Sequence, residues 1–310
     1  MNILLTGATG FLGRQLAKYL HSKPHVGLTA VVRRSVDISA FQTREVQRIN
    51  ANTDWSEALI NQQVVIHAAA RAHIMKEDLA DPVVEYRQVN VDGTVNLARQ
   101  AAEAGVRRFI FISSIGVNGN INIKPFTEDD TPKPADPYAQ SKLEAEQGLW
   151  EIQHETGMEL VVIRPPLVYG PNAPGNFGSL TRWIDKGVPL PLGAIQNQRS
   201  LVALDNLVDL ITTCIDHPAA ANQVFLAGDG QDLSTTELLR SVARAAGKPS
   251  RLIPIPSSLL MLAATLLGKK AVAQRLLGSL QVDISKARDL LEWEPPISVE
   301  EGLRRCFSKD

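Results

Sequence analysis

Ile3-Leu4-Leu5-Thr6-Gly7-Ala8-Thr9-Gly10-Phe11-Leu12-Gly13 is the stretch whose reading decides the fold. An apolar run delivers glycines at positions 7, 10 and 13 to the start of a helical pattern. Gly7 permits a tight turn, Gly10 lets a pyrophosphate approach the backbone, and Gly13 lets the helix pack closely on the strand. A glycine-rich turn that binds nothing is the plain alternative. Two motifs further along, Ser113-Ser114 and Tyr138-Ala139-Gln140-Ser141-Lys142, point past it to redox chemistry.

Outward from that loop, apolar runs at Ile3–Leu5, Leu28–Val32, Val64–Ala70, Arg108–Ser113 and Leu160–Arg164 alternate with helical stretches at Arg14–His21, Val83–Ala104 and Tyr138–Thr156. Continuous apolar strands separated by helices predict an α/β fold with a doubly wound parallel sheet, covered on both faces. Asp136 as cap, Pro137 at the first helical position and Gly157 as stop put Tyr138 in the first turn of its helix. After Arg164 the chain turns proline-rich, which predicts a second, smaller and mainly helical lobe. The expected division is a dinucleotide-binding domain over 1–165, to which 199–227 returns, and a substrate lobe from 166–198 and 228–310.

The 310 residues carry 32 Lys and Arg against 33 Asp and Glu, a net charge of −1 that argues against nucleic acid as the main partner. Cys214 and Cys306 stand far apart, so neither a disulfide framework nor a metal site is expected. No signal peptide fits ahead of a first strand at residue 2, and the apolar stretch Leu259–Leu267 is too short to span a bilayer; a cytoplasmic protein with no transmembrane segment is the expectation. That stretch, followed by Lys269-Lys270, reads as a buried helix of the second lobe. The alternative is a docking surface for another subunit or a membrane-bound glycan-assembly enzyme.

Tyr138 and Lys142 lie four residues apart and share a helix face. An ammonium near a phenol favours phenolate and is expected to lower the tyrosine toward neutrality. Such a tyrosine takes a proton from an alcohol as hydride leaves carbon, or gives one to a ketone as hydride arrives. At the end of the second strand, where a carboxylate would bind the adenosine ribose of NAD, stand Arg33 and Arg34, with no acid before Asp37. Two guanidiniums suit a 2′-phosphate, so NADP is the expected cofactor and NAD the alternative.

On these motifs the chain resembles the extended short-chain dehydrogenases/reductases, in the branch called the NAD-dependent epimerase/dehydratase family. His67-Ala68-Ala69-Ala70, Asn90-Val91-Asp92-Gly93-Thr94, Arg164-Pro165-Pro166-Leu167-Val168-Tyr169-Gly170-Pro171, Asp205-Asn206-Leu207-Val208-Asp209 and Ser285-Lys286-Ala287 through Pro295 carry the resemblance across nearly the whole chain. It implies a Rossmann domain and a catalytic set of Ser114, Tyr138 and Lys142, with Gly119, five residues on, selecting Ser114 over Ser113. It implies cofactor contacts from Gly7, Thr9, Gly10, Phe11, Leu12, Gly13, Ala68, Ala69, Ala70, Asn90, Tyr138, Lys142, Pro165 and Val168. For Asn90 a cap is the alternative. The segment Asn50 to Asp54 lacks the family's usual Gly-Asp pair, which leaves the adenine contacts unassigned.

The resemblance also frames the reaction. Ser114 is followed by Ile115-Gly116-Val117-Asn118, without the acidic pair that a 4,6-dehydratase needs. What remains is chemistry at C4 of a nucleotide-diphosphate sugar. The expected activity is an NADPH-dependent reduction of a UDP-4-keto-6-deoxy-N-acetylhexosamine for polysaccharide biosynthesis; the alternative is a UDP-glucose or UDP-N-acetylglucosamine 4-epimerase with bound NAD. A hydroxysteroid-type alcohol dehydrogenase and a non-catalytic NADP(H) sensor are more distant readings. The matching positions give Ser114 and Tyr138 at the sugar and Asn176, Arg199 and Arg275 as further substrate ligands; His73 either reaches the sugar or is a solvated loop histidine. Relatives dimerise through a four-helix contact, so a homodimer is expected.

Overall fold

The computed structural model describes residues 1–34, 41–72 and 82–308. Its strands are β1 (Asn2–Thr6), β2 (Gly27–Val32), β3 (Gln42–Glu45), β4 (Val64–His67), β5 (Arg108–Ile112), β6 (Glu159–Arg164), β7 (Leu167–Tyr169), β8 (Leu201–Ala203) and β9 (Gln223–Leu226). Seven of them form one parallel sheet in the order β3-β2-β1-β4-β5-β6-β9, and β7 pairs with β8 in a small parallel sheet of its own.

Alternation along each strand splits the apolar residues between two faces. Ile3, Leu5, Val64, Ile66, Ile110 and Ile112 turn to one face, where α1 (Phe11–His21) covers them with Leu16, Ala17 and Leu20. Leu4, Val65, Phe109, Phe111, Leu160 and Val162 turn to the other. That second face is covered by α2 (Ser56–Leu59), α4 (Gly93–Glu103) and α5 (Pro137–Thr156). The α3 helix (Pro82–Tyr86) runs into a single π-helical stretch, Arg87–Asp92, before α4 begins. The sequence reads this whole span as one ordinary helix; the wider turn is a difference, and it carries Asn90 inward to 1% exposure.

The remaining helices are α6 (Gly175–Asp185), α7 (Leu204–Asp216), α8 (Thr235–Ala245), α9 (Ser257–Leu266), α10 (Lys270–Leu277), α11 (Ser285–Leu291) and α12 (Val299–Arg305). Of these, α7 and α11 complete the face begun by α1, through Leu207, Leu210, Ile211, Ala287 and Leu291. A third core joins Phe177, Leu180 and Ile184 of α6 to Leu238, Leu239 and Val242 of α8 and to Val299 and Leu303 of α12.

Two sequence expectations are corrected. The Val64–Ala70 run ends as a strand at His67, because the next three residues leave the sheet to form a loop. The Leu259–Leu267 run is helical, but none of the residues of α9 is buried. A helix apolar all round its circumference reads as a core helix; here only Leu260 packs against the third core. No helix among the described residues is long and apolar enough to cross a membrane.

Candidate active site

The strand order reverses between β1 and β4, and parallel sheets open a crevice at the carboxyl ends of such neighbours. Gly7 leaves β1 at φ +73°, and a Cβ there would stand 2.7 Å from the Ala68 carbonyl carbon and the Ala69 nitrogen. At Gly13 a Cβ would lie 2.0 Å from the Gly7 carbonyl oxygen, so α1 can pack on the loop only with glycine there. The first turn of α1 has no side-chain cap and no acidic residue, which leaves its amides to an anion.

Two buried side chains fasten this loop to its neighbour. Thr6 Oγ1 shares a 2.7 Å hydrogen bond with His67 Nδ1 and accepts the Ala69 amide at 3.3 Å. His67 Nε2 lies 3.0 Å from Thr94 Oγ1, and the ring stacks on Phe111. Burial, with the Lys142 ammonium adding repulsion, drives the imidazole down to about 3, so it is neutral at physiological pH. Sequence reading quoted His67 within a motif without giving it this work.

A cavity of about 760 Å³ opens from the glycine loop. Gly7, Thr9, Gly10, Arg33, Ala68, Ala69 and Ala70, all expected at a cofactor, line it. Arg48, Ile49 and Asn50 form its far wall, the part left unassigned by sequence. Their segment is tied to α4 by Asn96, which donates to the Asn50 and Thr53 carbonyls at 3.1 and 2.8 Å, and by Gln100, which donates to the Thr53 carbonyl at 2.8 Å. Amide side chains four apart on one helix were the available signal. Phe11, Leu12, Arg34, Pro165 and Val168 are not part of this wall. Arg34 is exposed, Leu12 and Val168 pack against the first core, and the Pro165 carbonyl accepts the Ile115 amide at 3.0 Å.

Asn90 is held by protein groups on both sides of its amide. Its Oδ1 accepts the Arg71 amide at 2.8 Å, and its Nδ2 donates to the Arg71 carbonyl at 3.1 Å and to Ser141 Oγ at 3.0 Å. The side chain thus clamps the Ala68–Arg71 loop to the tyrosine helix, with both amide ends taken by protein groups. His73 lies outside the described residues.

Asp136 caps α5 by accepting the Ala139 amide at 2.9 Å, and Gly157 closes the helix at φ +74°, as expected. Ser114 stands at the end of β5, where its Oγ accepts the Gly116 amide at 3.1 Å. Lys142 is buried; its Nζ donates to the Ile112 carbonyl at 2.7 Å and lies 4.3 Å above the Phe111 ring. The expected lowering of Tyr138 is not what the structure gives. Burial, helped by the Asp136 carboxylate and by Tyr86, pushes the phenol up to about 12. Burial likewise pushes Lys142 down to about 7, against the pull of Glu146. Desolvation is the leading cause for both groups, and neither side chain figures among the causes of the other's shift.

Beneath them lies a polar network that sequence did not reveal. Glu146 and Arg164 form a two-pronged buried pair, with contacts of 3.0 and 2.6 Å. Ser113 Oγ donates to the same carboxylate, and Arg164 Nη1 donates to Asn118 Oδ1 at 2.9 Å. Ser113 is therefore taken up by the Glu146 carboxylate, whereas the Ser114 hydroxyl has no part in this network.

The second-lobe candidates divide. Arg199 Nη1 donates to the carbonyls of Arg275 at 2.7 Å and Gly278 at 3.2 Å, and burial lowers its affinity for its proton. Arg275 reaches back to Asp136 at 3.3 Å, at the head of the tyrosine helix, while Arg199 holds the backbone at the end of α10. Asn176 is exposed in the first turn of α6.

A glycine cradle at a sheet switch point, with serine, tyrosine and lysine on the adjoining strand end and helix, defines a nicotinamide-dinucleotide enzyme of the extended short-chain dehydrogenase/reductase type. The chain belongs to the NAD dependent epimerase/dehydratase family, whose sequence model matches residues 3–228. It is 50% identical over 307 residues, 98% of this chain and 94% of the relative, to a UDP-glucose 4-epimerase of Vibrio cholerae. Its fold matches a UDP-glucuronic acid 4-epimerase of Bacillus cereus in complex with NAD at a TM-score of 0.81, 22% identity and coverage of 99% and 97%. It also matches a UDP-glucose 4-epimerase of Thermotoga maritima with UDP-glucose at 0.78, 24% identity and coverage of 99% and 97%. These comparisons favour NAD and the epimerase alternative; neither NADP nor the 4-keto reductase finds specific support in them.

Proposed function

We propose that the protein is a UDP-sugar 4-epimerase that works with tightly held NAD. The observation that carries this reading is the 50% identity to the Vibrio cholerae epimerase along 98% of the chain. Ser114, Tyr138 and Lys142 are all present, and no carboxyl group follows Ser114 before Asn118, which supports epimerisation over dehydration.

Gly7, Gly10 and Gly13 fit a dinucleotide pyrophosphate, since a Cβ at Gly7 or Gly13 would meet backbone closer than 3 Å. The amides of α1 and the wall from Ala68 to Ala70 complete that hold. Bound there, NAD supplies a hydride acceptor and donor for C4. The protein's own part is the proton. Ser114 Oγ holds the C4 oxygen, and Tyr138 exchanges its phenolic proton with that oxygen. A phenol near 12 is a donor at neutral pH. To accept, it needs a cation, and Lys142 one turn along α5 is placed to provide it. Arg199, Arg275 and Asn176 take the diphosphate and the sugar. Arg33 and Arg34 are then solvated side chains at the cavity rim.

Protein purified without added cofactor is denatured and its released dinucleotide identified, and a separate sample is given UDP-glucose alone and assayed for UDP-galactose. Near-stoichiometric NAD and turnover without added nucleotide support the proposal. An empty protein that turns over only 4-keto sugars while consuming NADPH would sink it and restore the reductase.

A further inference from the structure

The second lobe carries an apolar face that nothing among the described residues covers. On α9, Leu259, Leu262 and Leu266 follow one another along one side of the helix at 56%, 58% and 79% exposure, and Leu267, just past the helix end, is 74% exposed. Leu260 turns the opposite way, onto the third core, so the outward direction of the stripe is fixed by the fold. Scattered exposed leucines are ordinary; a contiguous stripe on one helix is a contact surface.

The charge along this part of the chain is one-sided, although two of its cations are paired: Lys248 with Asp185 at 3.2 Å and Arg275 with Asp136 at 3.3 Å. Between Leu238 and Val282 the chain has seven Lys and Arg and no Asp or Glu, within a protein whose net charge is −1. Lys269 and Lys270 follow the stripe directly, both exposed and without an ion-pair partner among the described residues. At the other end Arg251 lies beside the turn after α6, its Nη1 3.5 Å from the Gly187 carbonyl. Trp183, 44% exposed, accepts the Val188 amide through its backbone carbonyl in that same turn. The α9 helix carries no charge of its own, so its cations come from the flanking chain; an exposed apolar helix with cations beside it suits an anionic lipid surface, which takes the leucines into the acyl boundary and the ammonium groups at its phosphates.

We propose that α9 and the cationic residues flanking it dock the protein flat onto an anionic lipid bilayer, with the leucine stripe entering the acyl boundary and the lysines meeting lipid phosphates. A second copy of the chain is the poorer occupant, since a paired face would oppose cation to cation without a carboxylate from this segment to relieve it.

The test is co-sedimentation of the full chain with vesicles of phosphatidylcholine alone and of phosphatidylcholine mixed with phosphatidylglycerol, at low and high salt. The expected result is binding to the anionic vesicles that falls as salt screens the lysines. Lys269→Ala with Lys270→Ala weakens it about 30-fold. Leu262→Glu with Leu266→Glu abolishes it while leaving activity on a soluble substrate unchanged. No binding to anionic vesicles at low salt overturns the proposal, as does binding indifferent to the leucine variants. If those variants instead turn a dimer into a monomer by light scattering, a second copy is the occupant and the proposal fails.

Discussion

Asp136 serves two elements at once. Its Oδ1 accepts the Ala139 amide at 2.9 Å and caps the tyrosine helix, while its Oδ2 pairs with Arg275 at 3.3 Å from the second lobe. An exposed pair of this kind contributes under about 1 kcal/mol to stability. Arg275→Ala is therefore expected to leave the melting temperature nearly unchanged while raising KM for the nucleotide sugar about tenfold or more, a loss of over ~1.4 kcal/mol of binding. Asp136→Ala is expected to cost about 1 kcal/mol of stability through the lost cap, and Asp136→Asn much less. Chemical denaturation alongside steady-state kinetics separates the two effects; an unchanged KM for Arg275→Ala removes that residue from the substrate site.

Tyr138→Phe removes the proton carrier without removing the ring, so the fold and dinucleotide binding are expected to persist. Turnover should fall about 10²- to 10⁴-fold. Activity within a factor of a few of the parent would refute the assignment.

Glu146 and Arg164 are each about 5% exposed or less, and the carboxylate also holds Ser113. Breaking such a pair strands a charge. Glu146→Gln is expected to destabilise the protein by about 3–5 kcal/mol, against about 1 kcal/mol for Ser113→Ala. Urea unfolding of the two variants gives the comparison, and equal losses would contradict the network.

His67 sets an acid limit. Its folded value is about 3 against 6.5 for a free imidazole, so between these values the unfolded chain binds the extra proton. Stability from this group is complete above pH 6.5 and is lost as pH falls toward 3, at up to about 1.4 kcal/mol per pH unit. His67→Gln is expected to flatten the pH dependence of unfolding over that range. A slope identical to that of the parent would assign the acid sensitivity elsewhere.

The sheet and the glycine loop were legible because burial on both faces writes strands as unbroken apolar runs, and because the cap, proline and stop glycine of α5 are local signals. Edge strand β3 was not: Gln-Thr-Arg-Glu has no apolar pattern, and only its pairing with β2 makes it a strand. The exposed α9 was misread for the converse reason, since a uniformly apolar helix gives no periodicity to say which side meets the protein. Within the site, the Tyr138 and Lys142 pair came from helical spacing, and Ser114 from the resemblance to the family. The Asn90 clamp, the His67 bridge and the Glu146–Arg164 pair join residues 18 to 61 positions apart, and no local pattern announces them.

The outermost strand of the main sheet, β9, arrives only after the chain has left to build β7, α6 and β8. During synthesis, β6 therefore waits with Val161-Val162-Ile163 on an open edge until residue 226 has emerged. Such an edge is a template for strangers. A fragment cut at the end of the glycine-loop half would carry that bare apolar edge permanently, and it should aggregate where a fragment running through β9 stays dispersed.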